Sequence, residues 1–237
     1  MSTRKIAITV GLLFIVQMAT AMIGTTLIQA FLDGDGDGER APLTAGVLLM
    51  LCSGLAVVAI GLLMYQVLKE VNRKVALWYP ALRITECTVS TACGLYLLIQ
   101  LQAVPNHLLW VYVPTGIGGL VLGYLLFVSR LVPRPIAVLG LVGYGRFSLG
   151  VPLDLLGVLD MNAGAGMLML APGFLFELVV LPLWLIVKGF SAHVVSATVQ
   201  VTGPYRPSEG ADLSSTPERM TTSRLGSGTS IEAGNHV

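Results

Sequence analysis

Four charged residues lie inside segments that are otherwise apolar, namely Arg83, Glu86, Arg146 and Glu177. A charged side chain at the centre of a bilayer costs about 2.5–3.5 kcal/mol, so such residues are expected to face a bundle interior and pair. Arg83 and Glu86 have i,i+3 spacing and share a helix face. Glu86, Arg146 and Glu177 fall at similar depth when residues are counted from the basic ends of their segments. We therefore predict a buried, charge-neutral cluster of these four residues as the candidate binding site.

Two interpretations of this cluster remain open. In the functional interpretation, the cluster is a polar site for a small solute, an ion or a lipid head group, or it is a proton relay. In the structural interpretation, it is a set of interhelical ion pairs that fixes the packing of a scaffold or regulatory protein. Asp154 lies apart from the cluster, after Pro152 and near the outer end of its segment.

A second candidate site is the acidic segment 33–39, DGDGDGE. Carboxylates two residues apart converge on a hard cation in an EF-hand loop, and Gly38 stands at the sixth position of that pattern. The twelfth position, which supplies a bidentate Glu in an EF-hand, is Thr44, so a full EF-hand is excluded. The alternatives are a soluble acidic hairpin that keeps this loop outside, simple low-complexity drift, and a weak calcium site of extracellular type, formed by Asp33, Asp35, Asp37 and Glu39.

The other reactive residue types form no catalytic constellation. The three cysteines lie in apolar segments and form no C-x-x-C pair, so we interpret them as packing residues. No histidine spacing typical of a metal site occurs, and we expect no cofactor. A membrane enzyme is the least favoured class because no nucleophile or metal set accompanies the carboxylates. The net charge of +1 indicates no nucleic-acid partner.

Helices that cross a membrane must position these residues. Only 11% of the 237 residues are charged, against about 25% in soluble domains, so the chain cannot cover a surface that faces water. Apolar stretches of about 20 residues are long enough to span a bilayer. Six stretches predict an all-α, six-helix transmembrane bundle in residues 1–199, with helices at about 6–30, 43–68, 77–101, 107–129, 135–159 and 167–190.

Basic residues mark one side of this bundle. They precede the first segment, separate the second from the third and the fourth from the fifth, and end the sixth, whereas the other connections are net acidic or neutral. The positive-inside rule then places both termini in the cytoplasm. Residues 200–237 are rich in Ser, Thr, Gly and Pro and predict a disordered cytoplasmic tail, open to a cytoplasmic partner. Lipid is the expected partner of the bundle, whose oligomeric state is left open.

Three stretches of the chain carry a family resemblance. They are PALRITE at 80–86, LVPRPIAVLG at 131–140, and PGFLFE at 172–177 with LWLIVKGF at 183–190. Together they resemble a bacterial membrane family, the domain of unknown function 4386. The resemblance covers the six segments and implies a six-helix protein of the bacterial cytoplasmic membrane with no assigned activity. It places Arg83, Glu86 and Glu177 at family motif positions, whereas Arg146 belongs to no such motif.

Overall fold

The computed structural model describes residues 2–34, 40–104, 106–161 and 164–191, and all regular structure in these residues is helical. The elements are α1 (Thr3–Leu32), α2 (Arg40–Gln100), α3 (His107–Ser129), α4 (Arg134–Leu155), a 3-10 turn (Gly164–Gly166), α5 (Met167–Phe174), a π-helical segment (Leu175–Val180) and α6 (Leu181–Val187). The predicted all-α class is confirmed. The predicted tail, 200–237, lies outside the described residues.

Five helices in the described part of the chain, rather than the predicted six, are long and apolar enough to cross a membrane. Four of them are α1, α3, α4 and the continuous run Met167–Val187, which we call the last span. The fifth is α2, whose 61 residues would reach about 90 Å if straight, or about three times the hydrocarbon thickness of a bilayer. The predicted second and third segments are therefore joined in one helical element without an intervening loop.

This long helix is interrupted at Asn72. The backbone angles of Asn72, φ −155° and ψ 99°, are not helical. Its side chain accepts a hydrogen bond from the Val75 N–H at 3.2 Å, as the side chain of a residue that begins a helix does. Asn72 thus ends the first half of α2 and begins the second.

The two halves of α2 lie against each other. Glycines of one half approach residues of the other half closely: Gly54 lies against Cys87, Gly61 against Pro80, and Gly94 against Val47. Each pair is centred on the same point of the sequence, midway between residues 70 and 71. The two halves are therefore antiparallel, and α2 folds back on itself at the turn that Asn72 makes.

The start of the chain lies against the last span. Arg4 donates hydrogen bonds to the carbonyl oxygens of Ile186 and Val187, at 3.0 and 3.2 Å, where α6 has no further N–H groups to offer them. Gly11 permits the close approach, since a Cβ there would lie 3.0 Å from the Pro182 carbonyl oxygen. A common apolar core lies between the helices and includes Phe14, Ile60, Leu122 and Phe176.

Large apolar side chains also cover the outer faces of the helices. Those more than half exposed include Leu12, Leu55, Ile99 and Leu149. Soluble monomers rarely expose large contiguous apolar areas, whereas a helix in contact with lipid does. The charged side chains of the core must therefore find their partners within the bundle.

Candidate functional site

Arg83 is the centre of a group of three charged side chains, of which Arg83 and Glu177 are buried and Glu86 is partly buried. Its Nη1 donates to Glu86 Oε2 at 2.8 Å, and its Nη2 donates to Glu177 Oε1 at 3.0 Å. The side chains of Arg83, Glu86 and Glu177 are 3%, 13% and 9% exposed. We call these three residues the charge cluster. Hydrogen bonds between charged groups are the strong ones, and removal of one buried partner leaves the other charge uncompensated.

Two glycines leave room for the Arg83 side chain, which lies in the second half of α2. A Cβ on Gly61, in the first half of α2, would lie 3.2 Å from Arg83 Cβ. A Cβ on Gly118 of α3 would lie 3.9 Å from Arg83 Nε. The two neighbouring helices thus approach the arginine closely because neither carries a side chain at these positions.

Glu177 is carried by the π-helical segment of the last span. The π turn closes with a bond from the Leu181 N–H to the Phe176 carbonyl oxygen, five residues back rather than four. Pro182 follows and has no N–H with which to continue the helical ladder. Such π turns are rare and are frequent at functional sites. A local departure from the α-helix therefore sets the direction of Glu177.

Two buried tyrosines flank the charge cluster. The Tyr79 ring centroid lies 5.2 Å from Arg83 Cζ, a cation–π contact. Tyr144 of α4 is buried, interacts electrostatically with Glu177 and Arg83, and lies so close to Gly119 that a Cβ there would overlap its ring. The Tyr79 hydroxyl lies close to Arg83, yet neither this hydroxyl nor Arg83 Nε reaches hydrogen-bond geometry with a described residue. The site therefore retains polar groups that its ion pairs do not use.

Sequence reasoning missed these two tyrosines. Tyr79 precedes Arg83 by four residues and so lies on the same helix face, which is a signal that the sequence offered. Tyr144 had no comparable signal, because its position depends on how α4 is rotated relative to α2.

Arg146 is not part of the charge cluster, and its predicted membership is wrong. The count from the basic ends correctly brought Glu86 and Glu177 together, but depth does not fix the direction of a side chain. Tyr144 faces the cluster from α4, and a step of two residues along an α-helix is a rotation of about 200°. Arg146 therefore points away and is exposed.

Arg146 has a different partner, the carbonyl oxygen of Leu168, to which its Nη2 donates at 3.2 Å. Pro172 stands four residues after Leu168 and lacks the N–H that would bond this carbonyl in a regular helix. An unsatisfied backbone group in lipid costs several kcal/mol. Arg146 thus supplies the hydrogen bond that Pro172 removes.

Without Arg146, the cluster is not charge-neutral. One guanidinium faces two carboxylates, so the cluster carries one excess negative charge when all three groups are ionised. Within the described residues, the salt bridges of Glu86 and Glu177 are those with Arg83. The predicted neutrality is corrected accordingly.

The remaining acidic residues form no metal centre in the described part of the chain. No group of three or more His, Cys, Asp or Glu residues there is placed to hold a metal ion. Asp33 ends α1, while Asp35, Asp37 and Glu39 lie outside the described residues, so calcium binding by this segment stays a prediction. Asp154 accepts a hydrogen bond from the Met161 N–H at 2.7 Å and so holds the connection after α4.

Five helices of membrane-spanning length and a buried charge cluster define a multi-pass helical membrane protein. A family model matches residues 9–104 and 91–189, which include the whole charge cluster. This chain belongs to that family, described as Domain of unknown function (DUF4386). A comparison with curated proteins gives no match, and neither does a comparison with solved structures.

Proposed function

We propose that this protein spans the bacterial cytoplasmic membrane six times, with both termini in the cytoplasm. The antiparallel halves of α2 supply two spans, and α1, α3, α4 and the last span supply the others. The basic residues support this orientation under the positive-inside rule. Lys69, Arg73 and Lys74 lie at the turn of α2, Arg130 follows α3 and Arg134 begins α4. Both connections would face the cytoplasm.

Single cysteines test this topology in a variant whose three native cysteines are replaced by alanine. A cysteine at Asn72 is expected to react with a membrane-impermeant thiol reagent from the cytoplasmic side only. A cysteine at Leu156, which is 76% exposed just after α4, is expected to react from the opposite side only. Reaction of both positions from the same side would contradict the six-span arrangement.

Within this bundle, we propose that the charge cluster binds a small cation or a small cationic solute and takes part in its transport. The excess negative charge is the observation that carries this proposal. Ion pairs that only fix packing need no excess charge, and an uncompensated charge in a membrane is expensive. The same excess would repel an anionic solute or the phosphate of a lipid head group.

The depth of the cluster supports a transport role. Arg83 follows Asn72 by 11 residues, and Glu177 precedes Lys188 by 11 residues. At 1.5 Å per residue, both side chains lie about 16 Å from the basic end, near the middle of a hydrocarbon layer of about 30 Å. Secondary transporters place their substrate and ion sites near this midplane, often where a helix departs from regular geometry, as the last span does at Glu177.

One observation favours a second candidate function, that of a non-catalytic scaffold or regulatory protein. Both terminal nitrogens of Arg83 are bonded to carboxylates, so the cluster joins α2 directly to the last span. A structural role of this kind predicts that a change in the cluster lowers stability without altering any ion movement.

Full-length protein in sealed lipid vesicles separates the two functions, with gradients of Na⁺, K⁺ and H⁺ as the probes. Transport predicts that one of these cations crosses faster than in empty vesicles. Glu177→Gln is expected to abolish this flux, and Glu70→Gln, the same change at a carboxylate that is 52% exposed, is expected to leave it intact. The scaffold function is supported if no cation crosses faster and Glu177→Gln lowers only the melting temperature.

A further inference from the structure

We infer that the ligand of the charge cluster is a proton, held jointly by Glu86 and Glu177 while Arg83 stays charged. This inference rests on the proposed function, because it names the cation that the site takes. Two carboxylates bond the two terminal nitrogens of one guanidinium, at 2.8 and 3.0 Å. When water delivers one proton to an oxygen of either carboxylate, the three side chains together become neutral.

A proton suits this geometry better than a metal ion. Hard cations such as Mg²⁺ and Ca²⁺ take about six to eight oxygen ligands, whereas each carboxylate here already gives an oxygen to Arg83. A metal ion between the carboxylates would also lie close to the positive guanidinium and be repelled by it. A protonated carboxyl keeps a carbonyl oxygen that accepts a hydrogen bond from Arg83, so proton binding preserves the contacts that the structure shows.

The neighbouring helices bring no second positive charge to the cluster. Residues 6–32 of α1, residues 41–68 of α2 and residues 108–129 of α3 include no Lys, Arg, His, Asp or Glu. These three stretches supply about half of the buried residues of the common core, and among the described residues the salt-bridge partner of both carboxylates is Arg83. The excess charge is therefore offset by a bound cation or not at all.

In the described part of the chain, Tyr79 and Tyr144 also interact electrostatically with the charge cluster. Tyr79 lies beside Arg83 in α2, and Tyr144 faces the carboxylates from α4. Arg146 of α4 points away and bonds the backbone of the last span. Neutral tyrosines cannot balance a carboxylate charge, but their hydroxyls donate and accept hydrogen bonds, which is what a group that relays a proton must do.

Proton binding changes the tie between two helices. The two carboxylates bond the same guanidinium, so one proton bound at the cluster is shared between them. When Glu86 holds the proton, the ion pair between Arg83 and Glu177 is retained and α2 stays tied to the last span. When Glu177 holds the proton, this interhelical link becomes a hydrogen bond to a neutral carboxyl, which is weaker than one to a carboxylate. The strength of the contact between Arg83 and Glu177 thus depends on which carboxylate holds the proton.

Infrared spectroscopy of the full-length protein in lipid tests this inference, because a protonated carboxyl absorbs apart from carboxylates. Carbon-13 in the glutamate carboxyls separates their signal from those of aspartates and lipid esters. The wild-type protein at neutral pH is expected to show one protonated glutamate. Glu86→Gln and Glu177→Gln are each expected to lose it, because the remaining glutamate forms a balanced pair with Arg83. The control Glu70→Gln is expected to keep it.

The inference is overturned if the wild-type protein shows no protonated glutamate at neutral pH, or if the signal persists in either cluster variant. Should one variant fail to fold, the wild type and the other variant still decide the matter. Vesicle flux distinguishes the two proposals. A protonated glutamate without any cation flux retains the proton site and rejects transport, whereas flux of Na⁺ or K⁺ without a protonated glutamate rejects the proton alone.

Discussion

Removal of the positive charge from the cluster is expected to destabilise the fold strongly. In Arg83→Met, Glu86 and Glu177 keep their buried positions and lose their shared partner. Arg83 makes two charged hydrogen bonds, of 2.8 and 3.0 Å, and each such bond contributes about 1.5–3 kcal/mol. Their loss lowers the free energy of unfolding by about 3–6 kcal/mol, in line with the range for breaking one side of a buried pair.

A neutral triple variant separates charge from packing in this experiment. Arg83→Met combined with Glu86→Gln and Glu177→Gln removes all three charges, and most of the lost stability is expected to return because no buried charge is left unpaired. The assay is unfolding of the purified proteins in detergent, followed by loss of helicity. The reasoning is refuted by a loss below about 1 kcal/mol in Arg83→Met, the value of an exposed pair. A triple variant no more stable than the single variant would refute it as well.

Two further changes test positions that shape the bundle around the cluster. Arg146→Met leaves a backbone carbonyl of the last span unpaired and is expected to cost about 1–3 kcal/mol of unfolding free energy. Pro172→Ala restores the missing N–H and is expected to remove that cost, so the melting temperatures of the wild type, both single variants and the double variant form the test. Gly119→Ala places a methyl group in the Tyr144 ring and is expected to cost about 1–3 kcal/mol. Gly145→Ala, where a Cβ would meet nothing within 4 Å, is the matched control and is expected to hold or raise the melting temperature. Equal melting temperatures for the two glycine variants would contradict this packing.

The sequence predicted the depth of a residue along its helix better than the direction in which its side chain points. Apolar length and basic ends fix where a residue lies along a helix, and this was enough to bring Glu177 to Arg83 from another helix. Rotation about the helix axis depends on which face packs, and the glycines and apolar residues of α4 leave that face undetermined. For this reason Arg146 was assigned to a site that Tyr144 actually faces.

Backbone departures from the α-helix were predictable in place but not in kind. The polar run at 69–74 indicated where α2 breaks. It did not indicate that the break would be the single residue Asn72, with helical geometry continuing on both sides. Pro182 likewise signalled a disturbance in the last span. The sequence does not distinguish a kink from a π turn, and the structure has a π turn at Leu175–Val180, just before Pro182.

The contact between Arg4 and the end of α6 has a consequence for the order of assembly. Arg4 is separated from its partners Ile186 and Val187 by 182 and 183 residues of sequence. The bundle therefore closes only after the last span has been made and has docked. Until then, Arg83 and Glu86 form a one-to-one pair with no excess charge. Glu177 arrives with the final helix as the unbalanced third member. A nascent bundle therefore buries a neutral pair, whereas the finished bundle buries three charged side chains with one excess negative charge, which the proposed proton neutralises.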